Sequence, residues 1–244
     1  MTAPQRRLVG VLGGMGPAAT VDFLQRLLDA HPVSRDQDHV PTVVWNVPQI
    51  PDRQLALAGQ GADPLPAMAE GMARLNAAGA TCIAIPCNTA HAWWGPLSAH
   101  SAAPVLHIVD VTVQALRRSW VAGDRVGVLA TQGALRQGLY QSRLEALCLD
   151  FLVPDQEELD TWFTPGCYAI KANDIAGGGR LLAQSAQALL DRGATRLVLG
   201  CTEIPIGLKH AAPALLARSL DPATALAHAC IDHWLGEQGP SKSS

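Results

Sequence analysis

Residues 79–87 read Gly-Ala-Thr-Cys-Ile-Ala-Ile-Pro-Cys, and residues 193–201 read Gly-Ala-Thr-Arg-Leu-Val-Leu-Gly-Cys. In each copy a glycine turn leads into a short apolar run, and a cysteine ends the segment. Short apolar runs between turn residues are typical of strands buried on both faces. The two stretches therefore predict equivalent parallel strands, each followed by a cysteine at its carboxyl end.

The repetition extends through both halves of the 244-residue chain. Val9-Gly-Val-Leu-Gly13 resembles Val126-Gly-Val-Leu-Ala130, and Asp110-Val-Thr112 has a looser counterpart in Asp221-Pro-Ala-Thr224. The offset is 117 residues from Gly10 to Gly127, 114 from Cys87 to Cys201 and 111 from Asp110 to Asp221. A unit of this length is too long for a solenoid repeat. We therefore expect two similar parallel-sheet α/β domains related by a pseudo-twofold axis.

Strand-like runs alternate with segments of helical period, as in a parallel α/β sheet. The predicted strands are residues 8–12, 42–45, 82–85, 105–109, 125–129, 196–199 and 215–220. The predicted helices are residues 18–30, 65–78, 111–120, 135–147, 181–192 and 223–235. We place the first domain at residues 1–105 with a C-terminal return at 215–244, and the second at 106–214. Ligands of open parallel sheets bind beyond the carboxyl ends of the strands. The interdomain cleft is therefore the expected active site, with one repeated cysteine on each wall.

The composition argues against several classes of protein. Hydrophobic residues make up 48% of the chain and charged residues 16%, which favours a packed globular protein over a disordered one. A net charge of −3 without a basic stripe argues against a nucleic-acid partner. No apolar run is long enough to span a membrane, and no signal peptide is recognisable. We expect a cytoplasmic protein, without membrane partners, whose six cysteines are free thiols.

The matched cysteines suit a reaction that moves protons on two faces of one carbon atom. Racemisation removes a proton from one face of Cα and delivers another to the opposite face. Two facing thiols can do this, because a thiol pKa of about 8.5 allows either role near neutral pH. Polar donors follow each cysteine and can bind a carboxylate. The other four cysteines lack this context, and we interpret them as packing residues: Cys82, Cys148, Cys167 and Cys230.

Four motifs resemble those of the aspartate/glutamate racemase family, especially its aspartate racemase branch. They are Gly13-Gly-Met-Gly-Pro17, Val47-Pro-Gln-Ile-Pro-Asp-Arg53, Pro86-Cys-Asn-Thr-Ala-His91 and Gly200-Cys-Thr-Glu-Ile-Pro205. The resemblance runs from about residue 8 to about residue 234. It implies a racemase that needs no pyridoxal phosphate or other cofactor and no metal, usually a homodimer. The implied substrate is a small acidic amino acid, aspartate first.

The resemblance also implies roles for individual residues. Cys87 and Cys201 match the two catalytic thiols. Arg53 matches a residue that binds the side-chain carboxylate, and Lys171 lies in a looser match to a segment with a substrate-binding lysine. The remaining expected substrate-binding residues lie in the glycine turn or after predicted strands: Met15, Asn88, Thr89, Ala90, Thr131 and Thr202.

Some of these residues admit other interpretations. Gly14-x-Gly16-x-x-Ala19 fits a relaxed dinucleotide fingerprint, but a tight turn with Pro17 at the first helical position is the better explanation. Cys82, Cys87 and His91 have spacings that fit no zinc pattern well. His91 could instead activate Cys87 as the nucleophile of a cysteine hydrolase.

Rival functions also remain open. A racemase of broader amino-acid scope, a hydantoin racemase or a maleate isomerase could use the same scaffold. The presence of both cysteines disfavours an arylmalonate-type decarboxylase, which uses a single cysteine. A non-catalytic sensor that binds an amino acid is the rival from outside the enzymes.

Overall fold

The structure is a computed structural model that describes residues 7–236. Within this range seven strands form two sheets, and all strand pairs are parallel. The ends of the predicted domains, residues 1–6 and 237–244, lie outside the described residues. The predicted mixed α/β fold with two parallel sheets is confirmed.

The first sheet has three strands in the order β2-β1-β3. They are β1 (Val9–Gly13), β2 (Thr42–Asn46) and β3 (Cys82–Ala84). The central strand β1 is buried along its whole length, as its unbroken apolar sequence predicts. Val105 adds a single parallel bridge to Ile83 on the far side of β3.

The second sheet has four strands in the order β5-β4-β6-β7. They are β4 (Val126–Ala130), β5 (Phe151–Leu152), β6 (Arg196–Gly200) and β7 (Ser219–Leu220). The two sheets share one strand order, with β4 in the place of β1 and β6 in the place of β3. The repeated cysteine segments therefore end at equivalent positions of the two sheets.

Twelve α-helices in the described residues connect and cover the strands. They are α1 (Pro17–Ala30), α2 (Arg53–Leu57), α3 (Leu65–Ala77), α4 (Trp94–Ala99), α5 (Ile108–Arg118), α6 (Gln132–Arg136), α7 (Gln141–Ala146), α8 (Gln156–Glu158), α9 (Thr164–Lys171), α10 (Ile175–Asp191), α11 (Glu203–Ala211) and α12 (Pro222–Leu235). No helix among residues 7–236 has the length and hydropathy of a membrane span.

Three sequence-based element assignments need correction. The predicted strand 105–109 is reduced to the bridge at Val105, because the His107 ring accepts the N–H of Val109 at 3.2 Å and α5 begins at Ile108. The predicted helix 135–147 is interrupted at Gly138, whose φ of +63° ends the helical path between α6 and α7. The predicted strand 215–220 is mostly a 3₁₀ turn, Pro213–Arg218, followed by the two-residue β7.

The segment predicted as the C-terminal return of the first domain is described from residue 215 to residue 236, and it contacts both halves of the chain. Strand β7 pairs with β6 of the second sheet, where Leu197 faces Ser219. Helix α12 does contact α1, beside the first sheet, and it also contacts α5. The strand of this segment therefore belongs to the second sheet, and the remaining domain boundaries stay a prediction.

Both sheets contribute to one apolar cluster, here called the shared cluster. It includes Val11 and Ala84 from the first sheet, Val128 and Val198 from the second, and Leu226 from α12. Each of these side chains is at most 1% exposed. Because the cluster is continuous, it holds the two sheets, and the strand ends that carry the cysteines, against each other.

Candidate active site

The two repeated cysteines line the same buried cavity. Cys201 directly follows β6, Cys87 lies three residues after β3, and each is 6% exposed. Nine of the ten predicted site residues line this cavity: Met15, Arg53, Cys87, Asn88, Thr89, Thr131, Lys171, Cys201 and Thr202. Ala90 is the exception, because its side chain is fully buried in the apolar cluster beside the first sheet.

Cys201 lies between two other side chains that form hydrogen bonds with it. Its thiol donates to Glu203 Oε2 at 2.9 Å, and its Sγ lies 3.7 Å from the Sγ of Cys167. The hydrogen bond with Cys167, burial and the charge of Glu203 all raise the pKa of Cys201 well above its ordinary value. Cys201 is therefore a thiol at neutral pH and can act as an acid.

Cys167 and Glu203 were not among the predicted site residues. Cys167 packs in an apolar cluster, and it also lies on α9 and lines the cavity beside Cys201. The interpretation of Cys148 as a packing residue is wrong, because its side chain is exposed. Glu203 is the first residue of α11 and is 4% exposed. The sequence signal for Glu203 was its place in the second cysteine motif.

Two side-chain hydrogen bonds join the loop after β3 to the second half of the chain. Thr89 Oγ1 and Thr131 Oγ1 are 2.8 Å apart. Tyr140 donates its hydroxyl proton to Asn88 Oδ1 at 2.5 Å. Asn88 Nδ2 is buried and has no hydrogen-bond partner among residues 7–236, so this donor is free for a ligand in the cavity.

Two cationic side chains line the cavity. Arg53 is 8% exposed and donates through Nη1 to the carbonyls of Ile50 at 3.1 Å and Pro51 at 2.9 Å. Its Nε is buried without a partner in the described part of the chain. Desolvation opposes the charge of Lys171, but Glu203, Cys201 and Cys87 raise its pKa, so the ammonium group keeps its proton.

Asp52 and Tyr168 also line the cavity and were missed by sequence reasoning. The Asp52 carboxylate begins α2 by accepting the N–H groups of Gln54 at 2.7 Å and Leu55 at 3.1 Å. Tyr168 donates to its other oxygen at 3.2 Å. Burial alone would raise the pKa of Asp52, but these N–H groups and Lys171 lower it overall, so Asp52 is ionised. A capping carboxylate is a common structural feature, and the sequence signal for Asp52 was its place in the motif that ends at Arg53.

The position of His91 argues against a cysteine hydrolase. Its Nε2 lies 3.1 Å from the carbonyl of Ile85, and its ring stacks near His107 with centroids 4.7 Å apart. Burial and His107 lower the pKa of His91 to about 3. The side chain is 3% exposed and does not line the cavity, so it is not placed to act as a base toward Cys87.

The glycine turn has a structural explanation. Gly14 has a φ of +100°, and a Cβ atom there would lie 2.3 Å from the backbone of Val47. Pro17 then begins α1 at a position that needs no N–H.

As for metal, residues 7–236 bring together no group of three His, Cys, Asp or Glu side chains that could hold an ion.

The family model for Asp/Glu/hydantoin racemases matches residues 12–230. The chain belongs to this family. A broad-specificity amino-acid racemase of Bacillus subtilis is 23% identical, with 95% of this chain and 100% of that protein covered. The solved structure of an aspartate racemase from Picrophilus torridus is 28% identical with a TM-score of 0.80, covering 93% of this chain and 94% of that one. An aspartate racemase homologue from Pyrococcus horikoshii, 17% identical with a TM-score of 0.71, shares the fold over 94% and 99% of the two chains.

Proposed function

We propose that this protein is a cofactor-independent racemase of an acidic amino acid, with aspartate as its first substrate. In this proposal Cys87 and Cys201 are the acid/base pair. The observation that carries it is that cysteines from equivalent strand ends of two sheets line one buried cavity. The similarity to the Picrophilus torridus aspartate racemase supports the choice of substrate.

The two thiols divide the proton transfers between them. In one direction Cys87 accepts the α-proton as a thiolate, and the Cys201 thiol delivers a proton to the opposite face of the carbanion. The raised pKa of Cys201 suits it to the acid role. The reverse direction exchanges the roles, and the ammonium group of Lys171 then lies near enough to stabilise either thiolate.

The polar residues of the cavity fit the two carboxylates of such a substrate. The free Nδ2 of Asn88 and the hydroxyl pair of Thr89 and Thr131 supply donors for the α-carboxylate. Arg53 and Lys171 supply charge for the distal carboxylate. These roles place the substrate between the loop after β3 and the cationic side chains.

The cavity must widen before a substrate can enter. Its volume is about 20 Å³, which is close to the space that one water molecule needs. The side chains of Tyr168 and Lys171 are exposed at its edge and are the first candidates to move. Closure around the substrate would then exclude water, which strengthens the electrostatic interactions with the carbanion.

A broader substrate range is the second candidate function. The carboxylates of Asp52 and Glu203 line the cavity together with Arg53 and Lys171, so the lining is not uniformly cationic. A balanced lining also suits neutral amino acids. The similarity to the broad-specificity racemase of Bacillus subtilis, which covers 95% of this chain, points the same way.

Loss of optical activity tests the proposal directly. The wild type is incubated with L- and D-aspartate, L- and D-glutamate and L-alanine, with EDTA and without added cofactor, and the enantiomers are separated by chiral chromatography. We expect racemisation of aspartate, and a loss of about 10²–10⁴-fold in both Cys87→Ser and Cys201→Ser, because a hydroxyl is a poor base.

Cys148→Ser is the matched control, since Cys148 is exposed and does not line the cavity. Near-normal turnover in either cavity variant would refute the two-base mechanism. A covalent substrate adduct on one cysteine, seen by mass spectrometry, would instead indicate a nucleophilic isomerase. A wild type that binds amino acids without changing their optical activity would indicate a sensor.

A further inference from the structure

Asn88 uses only half of its amide within the protein. The Oδ1 atom accepts a hydrogen bond of 2.5 Å from the Tyr140 hydroxyl, while Nδ2 is buried and has no partner among residues 7–236. Asn88 is 2% exposed and lines the cavity. A side-chain amide in this arrangement has its accepting end occupied and its donating end free for a ligand.

Tyr140 contacts both cysteine loops from a position outside the cavity. It precedes α7 in the second half of the chain, and its side chain is 1% exposed. Besides its bond to Asn88, its ring lies beside Gly200, where an added Cβ would be 3.1 Å from Cε2. Gly200 is the last residue of β6 and precedes Cys201, so one aromatic side chain lies next to the chain segments that lead to both thiols.

The hydroxyl of Tyr140 remains a donor across the neutral range. Burial raises the pKa of this phenol above its ordinary value, so the proton stays on the oxygen. A phenol that keeps its proton donates to Oδ1 and holds the amide in one of its two orientations. Without that bond, rotation by half a turn would aim Oδ1 at the ligand instead of Nδ2, and a carboxylate would meet an acceptor.

We propose that Tyr140 is a positioning residue that orients the Asn88 amide, so that Nδ2 donates to the α-carboxylate of the substrate. This inference rests on the proposed function, because it requires a ligand that carries a carboxylate. Tyr140 does not touch the reacting atoms in this scheme. It acts through Asn88, and its ring lies beside Gly200.

Binding measurements on a set of four variants separate this role from simple packing. The dissociation constant of L-aspartate is measured by titration calorimetry for the wild type, Tyr140→Phe, Asn88→Ala and the double variant. The phenylalanine keeps the ring beside Gly200 and removes only the hydroxyl. Ser142→Ala is the matched control, since it removes an exposed hydroxyl that bonds to the Gly138 carbonyl in the same segment.

We expect Tyr140→Phe to weaken binding about tenfold, the usual scale for one hydrogen bond to a charged ligand. The KM should rise with kcat little changed, and Ser142→Ala should match the wild type. The double variant should bind no more weakly than Asn88→Ala, because Tyr140 acts only through that amide. Multiplied losses in the double variant would overturn the inference. Unchanged binding of aspartate by Tyr140→Phe would also overturn the inference, even if the midpoint of thermal unfolding of this variant fell.

Failure of the proposed function gives a different pattern of results. If the wild type binds aspartate without racemising it, the racemase proposal fails, and the dissociation constants of the four variants still decide the role of Tyr140. If the wild type binds none of the amino acids in the panel, both the proposed function and the role of Tyr140 are overturned.

Discussion

Replacement of Arg53 with leucine should change substrate preference more than overall activity. The side chain begins α2, lines the cavity and is 8% exposed. Its Nη1 atom is already committed to the carbonyls of Ile50 and Pro51. The buried Nε has no partner within the described residues, so Nε and Nη2 form the edge that is open to a carboxylate.

The expected loss follows from the two hydrogen bonds that this edge can make. A fork of Nε and Nη2 on a carboxylate gives two charge-assisted bonds, each contributing about 1.5 kcal/mol at the lower end of the usual range. Their loss costs about 3 kcal/mol in binding, or roughly 150-fold in affinity. The substitution also removes the hydrogen-bond donor of the Ile50 and Pro51 carbonyls. The cost of that loss is the same for every substrate, so it cancels in the ratio of kcat/KM values for two substrates.

The quantity to measure is kcat/KM for aspartate divided by kcat/KM for alanine, in the wild type and in Arg53→Leu. Arg136→Leu is the matched control, because Arg136 is exposed at the end of α6 and does not line the cavity. It removes the same charge from the protein without touching the cavity. An unchanged ratio in Arg53→Leu would refute this assignment and favour Lys171. A wild type that prefers alanine would refute the acidic substrate itself.

Two further substitutions test the surroundings of Cys201. Cys167→Ala removes the hydrogen bond that contributes most to the raised pKa of Cys201, so that pKa should fall. In the direction of racemisation that uses Cys201 as the base, the rising limb of the kcat/KM profile against pH should therefore move to lower pH. If this limb does not move in either direction of racemisation, the coupling between Cys167 and Cys201 is contradicted. Gly200→Ala places a Cβ 2.9 Å from the Leu129 carbonyl, so calorimetry should show a loss of about 1–3 kcal/mol in unfolding free energy. Gly95→Ala, where a Cβ meets open space, should be neutral, and equal stability of the two variants would contradict the packing argument.

The repeat made much of the fold predictable from sequence. Unbroken apolar runs at β1 and β4 indicated buried central strands, and the match between residues 79–87 and 193–201 indicated two sheets of one design. Because parallel strands end at one edge of a sheet, the same match put both cysteines at strand ends. Local pattern and general topology rules were sufficient for these features.

The roles of Cys167 and Tyr140 depend on contacts that no local pattern encodes. Cys167 follows Pro165 and Gly166, which argue against a helix by propensity. In the structure the proline lies in the first turn of α9, where a helix tolerates it. Gly166 allows α9 to pack closely against α10, since a Cβ at this position would lie 3.2 Å from the carbonyl of Gly178. Tyr140 was missed for a similar reason, because its partner Asn88 is 52 residues away.

The shared cluster makes the stability of each sheet depend on the other. Its side chains come from both sheets and from α12, so unfolding of either half would expose apolar surface of the other to water. The two halves should therefore melt in a single cooperative transition. Leu226 does not line the cavity that holds the two thiols. A cavity-forming change such as Leu226→Ala would then lower the number of folded molecules in a cell and leave the turnover of each folded molecule intact.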